Sequence, residues 1–173
     1  GLGAQDSVVI SVINSRTRHV LAGDPVALRH VHAGLEALAQ TEAKKRSAGQ
    51  LGGSPFRFAW EPIASSVPFH HPDLAAAADA ALAQIEELGL SLPPLGDSRV
   101  LDPATGQDLP ASDTLPAVVR SILARPHDWA RAVVDSVPAG TVAVLVSPLG
   151  AMAGVTASRL RGRGSLLVDP STP

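Results

Sequence analysis

A histidine stands at the end of an extended segment and directly before an alanine-rich stretch, in the run Val67-Pro68-Phe69-His70-His71-Pro72-Asp73-Leu74. Imidazole titrates near neutral pH without help from its surroundings, so a histidine fixed at such a corner is suited to general-base chemistry. A base needs a partner to deprotonate, and without one the pattern alone favours a partly buried structural histidine. His70 is therefore a candidate catalytic residue whose partner has to be found.

A serine nucleophile would complete this chemistry, but no serine of the sequence lies in a GxSxG elbow. The nearest matches are Gly52-Gly53-Ser54 and Gly162-Arg163-Gly164-Ser165, which lack the second glycine and the preceding apolar strand. Both are predicted to be loops. The chain contains no cysteine, which excludes cysteine nucleophiles, disulfides and thiolate metal sites.

Two histidine pairs could be interpreted as metal ligands, His70 with His71 and His30 with His32. Adjacent histidines cannot easily point at one ion, and residues two apart on a helix face different directions. We therefore expect no metal site.

The basic cluster Lys44-Lys45-Arg46 could contact the phosphates of coenzyme A or of a pantetheine arm. Three basic residues beside Glu42 make no extended patch, so a solvated loop is the favoured interpretation.

The composition is that of a globular protein, with 173 residues, 45% of them hydrophobic and 17% charged. This length favours one domain, or one domain with a small appendage. The net charge of -2 gives no reason to expect nucleic acid or an anionic membrane as a partner. The apolar runs are far shorter than the roughly 20 residues that span a bilayer. With no secretory leader at Gly1, we expect a cytoplasmic location and a piece of a larger protein.

In the first half of the chain, the β-branched run Ser7 to Asn14 and the segment His19 to Ala22 predict a strand hairpin. Asp24 followed by Pro25 predicts the start of a helix, with the aspartate as its N-cap. Later segments predict an exposed mobile loop, a strand and a second helix, at Thr41 to Pro55, Phe56 to Trp60 and Pro72 to Leu88.

In the second half, Asp113 is predicted to cap a helix that Pro126 ends, and a further helix is predicted around Trp129 to Val137. The apolar run Thr141 to Val146 is typical of a strand buried in a parallel sheet, whose neighbours the chain does not obviously supply. Three shorter elements are also predicted: strands at Arg99 to Leu101 and Ser165 to Val168, and a helix at 151–161.

Five segments, in order, resemble the second half of an acyltransferase domain of a type I fatty acid synthase of the fungal or actinobacterial kind, either an acetyl transferase or a malonyl/palmitoyl transferase. Val12 to Asp24 resembles its "vNs...vvsGd" pattern, and Glu61 to Leu74 resembles its "lpV..PFHs..L" pattern. Val100 to Leu109 resembles "VyDt.dGsDLr". Pro126 to Trp129 resembles "PVkW", and Val144 to Gly154 resembles "ilDfGPGgasGl". Ser147-Pro148-Leu149-Gly150 departs from the Gly-Pro-Gly of that family, and His71 stands where a small residue is usual.

The resemblance implies transfer of an acyl group from coenzyme A to a serine and then to the thiol of an acyl carrier protein, with His70 as the base. It implies no permanently bound cofactor, since acyl-CoA and phosphopantetheine are substrates. It also implies that a backbone carbonyl orients the second imidazole nitrogen, and the segment near Asp102 and Pro103 is the expected place. The nucleophilic serine, the oxyanion segment and the arginine that selects malonyl would precede Gly1.

The predicted fold class is α+β. A partial ferredoxin-like subdomain with the histidine corner is expected at 1–90, followed at 91–173 by elements completing an α/β hydrolase-like acyltransferase core. The expected partners are acyl carrier protein, the rest of the acyltransferase domain and other synthase domains. One alternative is a non-catalytic docking or structural module of a multidomain synthase. Another is a ferredoxin-like small-molecule binder that folds alone.

Overall fold

The structure is a computed structural model that describes residues 8–93, 96, 98–138, 140–146, 156, 159–160 and 165–168. These residues form a mixed α+β fold, as predicted, and the finer ferredoxin-like and hydrolase-like assignments stay predictions. The elements are β1 (Val8–Ile13), β2 (His19–Gly23), α1 (Pro25–Ser47), a 3₁₀ turn (Pro72–Leu74), α2 (Ala75–Glu87), α3 (Ala111–Leu123), α4 (Trp129–Ser136), β3 (Ala143–Val146) and β4 (Ser165–Val168). No helix among the described residues is long and apolar enough to cross a membrane.

The chain separates into two compact units. The first comprises Gly1–Val9 and Ala22–Pro68, and the second comprises Ile10–Leu21 and Phe69–Pro173. The predicted division into residues 1–90 and 91–173 stays a prediction. The predicted hairpin is confirmed, because β1 pairs with β2 and the amides of Asn14 and Ser15 both donate to the carbonyl of Arg18.

Helix α1 of the first unit begins where the sequence predicts. Asp24 caps it, since Oδ1 accepts hydrogen bonds from the amides of Val26 at 2.7 Å and Ala27 at 3.1 Å. Pro25 occupies the first turn, where its missing N–H costs no helical hydrogen bond. The two residues together fix the point at which the chain leaves β2 and becomes helical.

Helix α1 continues to Ser47, so the prediction of a loop from Thr41 to Pro55 is wrong for its first half. The charged residues that suggested a loop instead stabilise the last turn of the helix. Arg46 pairs with Glu42 one turn earlier at 3.3 Å, and basic side chains complement the partial negative charge at a helix C-terminus.

The segment after α1 is tethered by the guanidinium of Arg46. Its Nη1 donates to the carbonyls of Gly52 at 2.8 Å and Gly53 at 2.6 Å, and its Nη2 donates to Ser54 at 2.7 Å. Glu42 accepts a hydrogen bond from the amide of Phe56 at 3.2 Å. These contacts give the glycine-rich stretch, which is an exposed loop as predicted, a defined path, and they occupy the Arg46 terminal donors that were considered for phosphate.

Replacing Arg46 with alanine should increase the rate of thermolysin cleavage beside Leu51 several-fold, because three backbone carbonyls lose their shared donor. Arg46→Lys should not restore protection, since a single ammonium cannot reproduce the planar fork of donors. Lys45→Ala, at an exposed neighbouring position, is the matched control. Equal cleavage rates in wild type and Arg46→Ala, measured by mass spectrometry, would contradict the tether.

The prediction of a strand at Phe56 to Trp60 is wrong, because this segment pairs with no strand in the part of the chain that the structure describes. Its alternating aromatic side chains face α1. The ring of His32 stacks on Trp60 with centroids 4.9 Å apart and meets Phe58 edge-on at 5.9 Å. Alternation of apolar and polar residues indicates only that one side of a segment is buried, and here α1 covers that side.

In the second unit, the predicted helix Pro72 to Leu88 is confirmed as the 3₁₀ turn followed by α2, which packs against α3. Ala78 is buried, and an Arg120–Asp79 ion pair of 3.0 Å joins the two helices at the surface. Asp113 is not the cap of α3, because the helix already begins at Ala111 and Pro110 holds the cap position. Asp113 lies in the first turn.

The predicted helix around Trp129 is confirmed as α4, which Asp128 caps by accepting from the amide of Arg131 at 3.0 Å. The segment Arg99 to Leu101 is reduced to one antiparallel bridge between Leu101 and Asp108.

The predicted strands near the C-terminal end are confirmed as β3 and β4, which pair in parallel from Ala143 with Ser165 to Val146 with Val168. The chain therefore supplies one parallel neighbour for β3, which the sequence did not reveal. The predicted helix at 151–161 falls almost entirely outside the described residues, and the segment Ser147-Pro148-Leu149-Gly150 lies outside them.

Candidate active site

The histidine corner in the second unit is built on the C-terminal end of α3. The last four carbonyls of an α-helix have no partner within the helix. Three of them are used here. The carbonyl of Ser121 lies 2.8 Å from His70 Nδ1, Ile122 accepts from the His70 amide at 3.2 Å, and Leu123 accepts from the His71 amide at 3.1 Å. Both the backbone and the ring of His70 are thereby held by one helix end.

The bond to Ser121 determines which nitrogen of His70 can act as a base. A carbonyl oxygen only accepts, so Nδ1 is assigned the proton and Nε2 carries the lone pair. His70 is partly exposed, and Nε2 has no hydrogen-bond partner within the part of the chain that the structure describes. The orienting carbonyl was expected near Asp102 and Pro103. That position is wrong, because the carbonyl comes from Ser121.

The backbone of His70 is itself unusual, with a φ of +61°. Among the described residues, His70 is the only non-glycine residue with positive φ. L-residues pay about 1 kcal/mol or more for this left-handed conformation, and such strain clusters at functional sites. The conformation turns the chain sharply between Phe69 and the 3₁₀ turn, and it sends the two adjacent histidines in different directions.

Replacing His70 with glycine should give a more stable protein than replacing it with alanine, by about 1 kcal/mol. Both variants lose the same imidazole, so the difference isolates the backbone conformation. Urea unfolding of the two variants measures it. An alanine variant that is as stable as the glycine variant would show that position 70 leaves the left-handed region when the ring is removed.

His71 is the structural member of the pair, with only 2% of its surface exposed. Its Nδ1 accepts a hydrogen bond from the Asp73 amide at 3.2 Å and so caps the 3₁₀ turn. Among the described residues, no three histidine, aspartate or glutamate side chains gather as metal ligands. His32, one of the other candidates, is stacked on Trp60.

A third histidine, His127, lies against the corner and was missed from the sequence. Its ring centroid is 4.1 Å from that of His70, with the two planes tilted by 49°. Its Nε2 is 2.6 Å from the hydroxyl of Ser121, the residue whose carbonyl holds His70. The sequence did carry one sign of it, since His127 stands where the resembled "PVkW" pattern has valine.

The surroundings of His127 disfavour the charged form of its imidazole. Burial lowers the pKa of His127 most, and the charge of a protonated His70 lowers it further. The backbone of Ser121 and the carboxylate of Asp102 oppose this shift without reversing it. Asp102 also lies 3.7 Å from the guanidinium of Arg125, which takes up part of its charge.

Ser121 and His127 have the contact of a nucleophile and its base, but the position of the serine argues against that role. Ser121 is 5% exposed and lies within α3, not at an exposed elbow. Its hydroxyl is almost completely covered by the surrounding residues and is hydrogen-bonded to His127. The serine therefore acts as a buried support for the two imidazoles.

The family model described as the fatty acid synthase central AT domain matches residues 2–62. The matched region holds the hairpin, α1 and the extended aromatic segment, and it ends before His70. No curated protein and no solved structure matches the chain. The match covers about a third of the chain and supports an interpretation as a fragment of a fatty acid synthase acyltransferase domain.

Proposed function

We propose that this chain supplies the general base of an acyl-CoA:acyl carrier protein S-acyltransferase in fatty acid biosynthesis. The observation that carries the proposal is the 2.8 Å hydrogen bond from His70 Nδ1 to the carbonyl of Ser121, which leaves Nε2 as the free acceptor. The family match over residues 2–62 supports the reaction class. The strained backbone of His70 supports a functional role for that residue.

In the proposed reaction His70 moves one proton in each half. Nε2 takes the proton of a serine hydroxyl as the serine oxygen attacks the thioester carbonyl of acyl-CoA. The C–S bond breaks, the acyl ester forms, and the imidazolium returns the proton to the coenzyme A thiolate. In the second half Nε2 takes the proton of the carrier's pantetheine thiol, the sulfur attacks the ester, and the serine oxygen leaves and recovers the proton.

The nucleophilic serine of this proposal comes from outside the 173 residues. No GxSxG occurs in the sequence, and Ser121, which contacts an imidazole, is buried. The chain then forms the base-bearing part of a site that another segment or chain completes. The ferredoxin-like and hydrolase-like subdomain assignments belong to this proposal, as does its cytoplasmic location.

The proposed substrates are an acetyl- or malonyl-type acyl-CoA and the phosphopantetheine of acyl carrier protein. No permanently bound cofactor is needed, since both thioesters supply their own leaving or attacking sulfur. The net charge of -2 agrees with the absence of nucleic acid from the proposed partners.

Acylation mapping tests this division of the site. The 173-residue chain incubated with radiolabelled acetyl-CoA or malonyl-CoA should acquire no covalent acyl group. The synthase polypeptide that contains this sequence should acquire one, and peptide mapping should place it on a serine in a GxSxG elbow outside these residues. A labelled serine within the 173 residues, Ser121 included, would refute the proposal.

A further inference from the structure

We propose that His127 is a positioning residue for His70. The expected effect on acyl transfer rests on the proposed function, whereas the expected effect on the His70 tautomer does not. The ring of His127 forms a wall that stops the His70 imidazole from turning away from the Ser121 carbonyl. The contacts that carry this proposal come from β1, from α3 and from the ring pair itself.

The backbone of His127 is fixed on both sides by β1. Its amide donates to the carbonyl of Ser11 at 2.8 Å, and its carbonyl accepts from the amide of Ile13 at 2.8 Å, in a parallel bridge opposite Val12. Ser11 is itself buried. A side chain that leaves such a clamped backbone has a defined starting point.

The side chain of His127 is fixed by α3. The hydroxyl of Ser121 lies 2.6 Å from Nε2 and shares a hydrogen bond with it. The same serine holds His70 through its carbonyl at 2.8 Å. One buried residue therefore sets the positions of both rings, and neither ring can turn without breaking a bond to Ser121.

The rings of His70 and His127 lie in close contact. Centroids 4.1 Å apart are closer than the 4.5–7 Å usual for aromatic pairs, so the rings are in van der Waals contact. Rotation of the His70 ring, which would replace Nδ1 by the Cδ2–H group at the carbonyl and break that hydrogen bond, needs space that His127 fills. Two cationic imidazoles at this separation repel, which is one cause of the lowered pKa of His127.

NMR on the isotope-labelled 173-residue chain tests the structural part without any activity. In wild type the ¹⁵N shifts of His70 should show protonation at Nδ1 over Nε2.

Two substitutions test whether the ring of His127 holds the His70 ring in place. His127→Phe keeps a flat ring against His70 and should preserve the Nδ1–H form. His127→Ala removes the wall and should give a mixture of both tautomers. In the synthase polypeptide, kcat for acyl transfer should fall about tenfold to a hundredfold in the alanine variant, with KM little changed, and should recover in the phenylalanine variant.

An unchanged tautomer and unchanged kcat in His127→Ala would overturn the proposal, and so would a wild-type His70 that carries its proton on Nε2. If the alanine variant does not fold, the wild type and the phenylalanine variant still decide, because protonation of His70 at Nε2 in either protein contradicts the positioning. A shifted tautomer, with transfer unaffected in both His127→Ala and His70→Ala, would reject the general base but support the positioning of the ring.

Discussion

Under the proposed function, replacing His70 with alanine in the polypeptide that contains this sequence should lower kcat for acyl transfer by about 10²- to 10⁴-fold, the usual contribution of a positioned general base. The reason is that Nε2 is the acceptor left free when Ser121 engages Nδ1. Stability should change little, since the variant loses one hydrogen bond of a partly exposed side chain, worth about 1 kcal/mol. Steady-state transfer of labelled acyl groups to the carrier protein measures the first effect, and urea unfolding the second.

A matched control and a rescue sharpen this result. His30→Ala removes an exposed imidazole from α1 and should leave transfer unchanged. Added imidazole should partly restore transfer in the His70→Ala protein, because the cavity then admits a diffusible base. Wild-type rates in His70→Ala would remove the general-base role and favour a docking or structural module instead.

Replacing the adjacent His71 with alanine should have the opposite profile, with a loss of about 2–4 kcal/mol in the free energy of unfolding. The side chain is 2% exposed, so its removal leaves a cavity, and the amide of Asp73 loses the acceptor that caps the 3₁₀ turn. Urea unfolding of the 173-residue chain measures the loss. The comparison with His70→Ala is direct, because the two positions are neighbours of the same residue type.

His71→Asn divides this effect into its parts. Asparagine can accept the Asp73 amide in place of the ring and should recover about 1 kcal/mol, the usual worth of a cap. The remaining loss then belongs to the missing volume. A His71→Ala protein as stable as wild type would mean that the corner repacks around the vacancy.

The sequence predicted those parts of the fold that depend on residues close together in the chain. Asp24 and Pro25 mark the start of α1 because the capping side chain and the amides it satisfies are within three residues of each other. The strands β3 and β4 are recognisable because each is a short apolar run. The end of α1 was misjudged because the charges of Glu42 and Arg46 suit both a solvated loop and an ion pair along a helix.

The site could be predicted only as far as its first residue. His70 stands out in the sequence because of Pro68 and Pro72 around it, but the group that orients it is a backbone carbonyl. Backbone carbonyls are present at every position, so nothing in the sequence distinguishes Ser121 from any other residue. His127 depends in addition on β1, more than a hundred residues earlier in the chain, for its placement.

The shared use of the α3 terminus by His70 and His71 couples fraying of this helix end to the position of the proposed base. The amides of both histidines donate into the last turn of the helix, so a fluctuation that frays this turn also frees the His70 ring from the Ser121 carbonyl. Under the proposed function, slow hydrogen exchange at these two amides reports the fraction of molecules in which His70 is placed for proton transfer. Solvent protection at a helix end would then measure how often the proposed base is in place.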